Sequence, residues 1–231
     1  MSGQQPIDRR PRDSYAEGMT TKAKSAARLR DSGGVWIDHA AVVDDDFEWL
    51  AEVERLTLWN VKMPVGFLSR LKRLWWVDWR GGGKGQQIEQ LATCQGLRFV
   101  SLNQIRGVGD LQFLADLRSL EMVSIYGMSA VERLPSFARL TSLRRLELGQ
   151  MKLLESIHPA LDAPNLEELH LHKFVNVTPE DVTAIKTHAT LLSFDWVAEN
   201  VPDHVWFPIR EAIALPKTRS LHPEEWFSLR L

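Results

Sequence analysis

The densest chemistry in the 231-residue chain is a run of nine, LEELHLHKF, from Leu166 to Phe174. If this run is a strand, His170 and His172 leave the same face, about 6–7 Å apart by strand rise. Glu147 and Asp195 lie 23 residues before and 25 residues after His170. Two imidazoles with carboxylates are a donor set for zinc or another divalent metal, and an open ligand position would allow hydrolysis. Against that reading, side chains diverge on a nearly flat sheet, no enclosing pocket is legible, and the usual metal-ligand spacings are absent.

A second candidate is WRGGGKGQQIEQL, Trp79 to Leu91. A phosphate-cradling loop needs G-x-x-x-x-G-K-[ST], because backbone N–H groups wrap the phosphates and a hydroxyl reaches magnesium. Here Asp78 stands where the first glycine should be, and Gly85 follows Lys84 in place of Ser or Thr. Two requirements fail, and the glycines read as a spacer. The chain also lacks G-x-S-x-G, H-E-x-x-H and C-x-x-C. Cys94, in apolar surroundings, reads as inert core.

The elements that position these residues follow from composition and repetition. Hydrophobic residues make up 44%, charged residues 25%, and the formal net charge is −2, an ordinary globular composition with no pull toward nucleic acid or anionic membrane. One cysteine excludes an internal disulfide framework. No apolar run approaches the ~20 residues of a membrane span, and MSGQQPIDRRPRDSYAEG at the start lacks a secretory signal's apolar segment. The expectation is a cytoplasmic protein with no cofactor and no nucleic-acid or membrane partner.

Seven segments share apolar residues at positions one, four and six: VERLTLWN from Val53, LKRLWWVDW from Leu71, LRFVSLNQI from Leu97, LEMVSIYGM from Leu120, LRRLELGQM from Leu143, LEELHLHKF from Leu166 and LLSFDWVAE from Leu191. Their starts are 18, 26, 23, 23, 23 and 25 residues apart. Before most of them, apolar residues recur every third position, as in Leu111, Leu114, Leu117 and Leu134, Phe137, Leu140. That spacing fits a 3₁₀-like return with one buried face. The 26-residue interval makes the Gly81–Gly85 run an insertion, with Lys84 at its tip facing a possible acidic contact.

The unit x-x-L-x-x-L-x-x-L-x-x-L-x-L at about 23 residues resembles the leucine-rich repeat family, nearest its short, internalin-like form. The resemblance covers Val53 to about Glu199. It implies an α/β solenoid with a curved parallel sheet on the concave side and 3₁₀ or short helical returns on the convex side. The ninth position departs from the family's asparagine: Val61, Trp79, Ile105, Met128, Met151 and Phe174 form an apolar spine instead. The domain reading is a flexible tail over 1–32, an N-terminal cap over 33–52, about seven repeats over 53–199, and a C-terminal cap over 200–231. In that last cap Trp206, Phe207, Trp226 and Phe227 close the core. Thr178-Pro179-Glu180-Asp181 marks a helix start, and His188 in the return row reads as a hydrogen-bonded core residue.

With positions four and six in the core, positions three, five and seven point outward. Early repeats then present Arg55, Trp59, Arg73, Trp75, Phe99, Asn103, Met122 and Tyr126, types enriched in interface centres. Later repeats present Arg145, Glu147, Glu168, His170, His172 and Asp195. These fourteen are the expected partner-binding set. The functional expectation is a non-enzymatic protein-binding module, an adaptor or an inhibitor/immunity-type protein, gripping its partner on the concave face. The metal-binding or hydrolytic cluster around His170 and His172 is the alternative.

Overall fold

A computed structural model describes residues 21–82 and 88–230. Eleven strands run in chain order: β1 (Thr21–Lys22), β2 (Ala27–Leu29), β3 (Val35–Asp38), β4 (Ala40–Ala41), β5 (Arg55–Trp59), β6 (Trp76–Arg80), β7 (Phe99–Asn103), β8 (Met122–Tyr126), β9 (Arg145–Met151), β10 (Glu168–Val175) and β11 (Ser193–Val197). Nine form one sheet in the order β11-β10-β9-β8-β7-β6-β5-β3-β2, parallel throughout except for the antiparallel edge pair β2–β3. β1 pairs separately with β4.

Each strand is followed by a return on the core side. Short 3₁₀ turns over Leu68–Arg70, Ile88–Thr93 and Gln112–Asp116 put every third residue inward, as the spacing predicts. The inward strand residues and the return leucines pack as one continuous core, with Leu102, Leu148 and Leu171 fully buried in a file across neighbouring strands. No single coil hides these side chains; the stack does.

Two short helices, α1 (Ala23–Ala26) and α2 (Phe47–Leu50), lie near the N-terminal end, and helices take over toward the C-terminal end: α3 (His158–Leu161), α4 (Pro179–Thr187), α5 (Asp203–Ile213) and α6 (Pro223–Ser228). The start of α4 matches expectation. Thr178 Oγ1 accepts from the Asp181 amide at 3.2 Å, and the Thr178 amide donates to Asp181 Oδ2 at 2.8 Å. His188 Nε2 lies 3.1 Å from the carbonyls of Leu161 and Ala163, so this ring is tied into the return row.

Four expectations are corrected. The second repeat sits three residues later than its pattern suggests: Arg55 pairs with Trp76, Leu58 with Trp79 and Trp59 with Arg80. Val77 and Trp79 therefore enter the core, while Trp76, Asp78 and Arg80 point outward. Leu71 and Leu74 end the preceding return, and the interval from Leu74 to Leu97 is the ordinary 23 residues. The glycine run is thus no insertion; Gly83 to Gln87, with Lys84, lie outside the described residues. Residues 21–32 are not a free tail, because β2 pairs with β3; residues 1–20 lie outside the described residues. Finally, Trp226 and Phe227 do not close the core.

Gly81 has a different task. At the equivalent position of β3 and β5 to β10 the chain is left-handed: His39, Asn60, Gly81, Gln104, Gly127, Gln150 and Lys173 all have positive φ. The amides of His39, Asn60, Gly81, Gln104 and Gly127 donate to the carbonyls of Trp59, Arg80, Asn103, Tyr126 and Gly149 in the next strand, at 2.8–3.0 Å. This backbone ladder ties coil to coil where the family resemblance would place asparagine side chains. Val61, Ile105, Met128 and Met151 are buried beside it, and Val175 takes over from Phe174 because β10 shifts register after His172. Replacing Gly81 with Ala (φ +58°) brings a Cβ 2.8 Å from Asn60 Oδ1. The expected loss is about 1–2 kcal/mol by urea unfolding, and Gly81→Asn should cost less, since Asn60 already tolerates this conformation.

Candidate functional site

The sheet's outward face is not open along its whole width. After α5 the chain turns beside β11, where Pro216 O accepts from the Phe194 amide at 2.9 Å. It then crosses the outward face as a strap over residues 217–230. Thr218 Oγ1 donates to Leu169 O at 3.1 Å. Farther along, Trp226 and Phe227 pack on Trp76, Phe99 and Met122 in a second apolar cluster separate from the core. Phe227 lies 5.3 Å from Trp75, 5.8 Å from Trp76 and 6.2 Å from Phe99 between ring centroids. Burying two such rings stabilises by roughly 1.5–3 kcal/mol each.

Arg145 fastens the middle of the strap. Its side chain is 1% exposed. It donates to Glu147 Oε1 from Nε (2.9 Å) and Nη2 (2.7 Å), and to Glu168 Oε2 from Nη1 (3.0 Å). The same guanidinium reaches the strap carbonyls of Arg219 (3.3 Å) and Leu221 (3.4 Å). A buried cation needs its donors met, and here two carboxylates and the strap backbone meet them together. Trp226 Nε1 donates to Glu168 Oε1 at 3.1 Å, and Arg230 binds Glu167.

The expected partner-binding residues therefore divide. Phe99, Met122, Arg145 and Glu168 contact the strap or lie beneath it. Trp75 precedes β6 and stacks with Arg55 (4.9 Å), Arg98 (5.3 Å) and Phe227, so it is not a strand-face anchor. Arg73 pairs with Glu52 and Glu54 ahead of the strand. Trp59, Asn103 and Tyr126 end their strands on the side the strap does not contact, and Trp59 is 41% exposed; His172 lies within β10 and lines a cavity with Ser220 and Leu221 of the strap. Sequence reasoning missed Trp36, which meets Trp59 edge-on at 5.9 Å, and Arg80, whose guanidinium lies 5.4 Å from the Trp36 ring. The signal for Trp36 was there in VWID, an apolar alternation one strand before the first recognised repeat.

Glu147, His170, His172 and Asp195 do come together. The two imidazole centroids are 4.1 Å apart at 40°, closer than bare strand rise suggests. Asp195 Oδ2 is 4.0 Å from His170 Nε2 and its Oδ1 is 3.9 Å from Arg210 Nε. His170 is 2% exposed, and neither ring nitrogen has a hydrogen-bond partner among the described residues. Burial, then the neighbouring His172, then Arg145 lower its pKa to about 4 against the pull of Glu147 and Asp195. Burial likewise lowers that of His172. Both rings are neutral at pH 7. Cys94 is buried and its thiol pKa is raised by that burial.

Comparison with known proteins supports the architecture. The crystal structure of an internalin from Listeria monocytogenes strain 4b F2365 superposes with a TM-score of 0.52 over 83% of this chain, at 16% identity. The fold is an internalin-like leucine-rich-repeat solenoid. The chain spans 55% of that internalin's length. No family model matches the chain, and no curated protein does. A leucine-rich-repeat solenoid supports protein binding in general, through the extended surface its stacked repeats create. Among the described residues no helix is long and apolar enough to cross a membrane.

The strap is held mainly by Phe227, Trp226 and Arg145. Phe227→Ala should weaken its docking by about 3 kcal/mol, giving ~100-fold faster amide hydrogen exchange over 217–230. Exchange in β7 to β9 should stay slow; acceleration there instead would mean that the strap is part of the global folding unit.

Proposed function

We propose that the chain is a non-enzymatic protein-binding module whose partner lies along the strip of the outward face that the strap leaves open. The observation that carries this is the division of the sheet. The strap fills the rows led by Trp76, Phe99, Met122 and Arg145. The row of Trp59, Arg80, Asn103 and Tyr126 stays accessible beside the left-handed turns.

Two open grooves run along that margin. One, of about 730 Å³, is lined by His39, Asn60, Gly81, Gly82, Gln104, Arg106, Gly127 and Ser129. The other, of about 710 Å³, is lined by Gln104, Tyr126, Gln150, Lys152, Lys173, Phe174, Glu199 and Asn200. Arg106, Lys152 and Lys173 outnumber Glu199, so the strip suits a partner surface with acidic and hydrogen-bonding groups. Trp59, Trp36 and Tyr126 supply the large, stiff side chains on which interface energy concentrates. Arg80 and Asn103 sit between them.

Both an adaptor and an inhibitor or immunity-type protein would work through such a strip. A cytoplasmic location is part of this proposal, and the single cysteine supports it. In affinity capture from the native cell, Trp59→Ala and Tyr126→Ala together should weaken recovery of the partner by at least ~10-fold with unchanged circular dichroism. Phe207→Ala, at an exposed position of α5, should leave recovery intact. Undiminished capture by the double variant would move the interface elsewhere. An inhibitor would also suppress the captured partner's own enzymatic activity, whereas an adaptor would not.

A further inference from the structure

We propose that Glu147, His170 and His172 form a binding site for a divalent transition cation, zinc by preference, roofed by the C-terminal strap. Each residue offers one donor atom, and the three atoms lie within 4.8 Å of one another. They line a cavity of about 230 Å³ whose facing wall is Ser220, Leu221, His222 and Pro223 of the strap. An isolated His-x-His pair on a bare strand has no such enclosure; the strap supplies it.

The buried ring of His170 is the strongest sign that a ligand belongs here. A fully enclosed imidazole with neither nitrogen bonded to any described group is costly, since buried polar atoms are ordinarily satisfied. A metal would take one of those nitrogens directly. The cavity has room for a water to serve the other or to complete the metal's coordination.

The charges permit it. Arg145 binds Glu168 and directs both of its Glu147 contacts to Oε1, leaving Oε2 of Glu147 for a metal. Around the site Glu147, Glu168 and Asp195 face Arg145, Arg210 and Arg230, three negative groups against three positive. Two neutral nitrogens and one carboxylate oxygen match the borderline donor preference of Zn²⁺ and of Co²⁺ or Ni²⁺, and not the all-oxygen shells of Ca²⁺ or Mg²⁺. Tetrahedral bonds of ~2.0–2.1 Å need donors about 3.4 Å apart. Donor atoms that all lie within 4.8 Å of one another need close by no more than about 1.4 Å, within reach of rotation of the half-buried His172 ring.

The test uses the full chain, free of any affinity tag and stripped with a chelator, titrated with Zn²⁺ and then Co²⁺. The expected result is one ion per chain by calorimetry, a rise in melting temperature, and visible Co²⁺ absorption bands of four-coordinate type. His172→Ala and Glu147→Gln should each weaken binding by more than the ~100-fold upper range for losing an outer-shell partner. His204→Ala, at an exposed position on α5, should change nothing. His170→Ala should abolish binding, and if that variant does not fold, His172→Ala decides. Zn²⁺ affinity weaker than millimolar, or affinity unchanged in His172→Ala, overturns the site.

Discussion

Register between neighbouring coils is the constraint from which the rest of this protein follows. Two backbone ladders fix it. Ahead of the strands, one carbonyl in each repeat accepts two amides of the next: Trp75 O takes Arg98 and Phe99, Arg98 O takes Glu121 and Met122, and Glu121 O takes Arg144 and Arg145. Behind the strands, the left-handed residues donate forward to a carbonyl in the next strand. Between these clamps each strand has one allowed alignment, so its side chains fall into straight rows. Rows carry the chemistry: leucine and valine inward, and Trp76-Phe99-Met122-Arg145-Glu168 outward as one line. The flanking side chains reinforce the same alignment, since Arg98 meets Glu121 at 2.6 Å and Arg144 meets Glu167 at 3.3 Å one coil on. Such exposed pairs contribute little each. Their regular recurrence follows from register; it does not cause it.

A parallel sheet is ordinarily covered on both faces. The returns cover one face here, and an outward row containing Trp76, Phe99 and Met122 needs cover on the other. The strap provides it with a short helix carrying Trp226 and Phe227. Arg145 explains why the strap stops short of covering everything. Its five hydrogen bonds use donors that point along the third row and toward the strap, and two carboxylates hold it there. The segment is thereby pinned over one half of each strand. The other half, ending at Trp59, Asn103 and Tyr126, keeps its access to solvent. One sheet thus acquires a sealed half and an open half, and the proposed metal site and the proposed protein interface belong to different halves.

What the sequence reveals and what it hides follow the same physics. The period of 23, the inward positions of six of the seven repeats and the cap at Thr178 are legible because each depends on local pattern. The second repeat is not, because Trp75-Trp76-Val77-Asp78-Trp79 offers an apolar residue to either candidate register. Only pairing with β5 and β7 chooses. The left-handed ladder hides because its rungs are filled by His, Asn, Gly, Gln and Lys, a set united by backbone conformation and not by side-chain type. The strap hides most completely. Nothing in HPEEWFSLRL distinguishes aromatics that close an end from aromatics that fold back over about 130 residues of chain to meet Phe99. Long-range docking of this kind is a property of the assembled surface, and no window of sequence contains it.

The His170-Leu171-His172 motif shows how much that assembled surface changes the meaning of a sequence. On an uncovered strand both rings would be hydrated, would titrate near their usual values and would exchange protons with solvent. Beneath the strap, desolvation disfavours the protonated form, and the hydration that satisfied the ring nitrogens is lost. The same burial that weakens proton affinity raises the value of any group able to accept an electron pair from those nitrogens, and a metal ion does this without carrying a hydrogen into the cavity. Arg145 sharpens the selection: it holds Glu147 in place through one oxygen while its own charge opposes a second cation that is not directly ligated. A loosely held surface ion gains nothing at such a place. A coordinated one gains two fixed nitrogens and a carboxylate oxygen, so chemistry that is indistinct in the sequence becomes specific once the chain folds back over its own sheet.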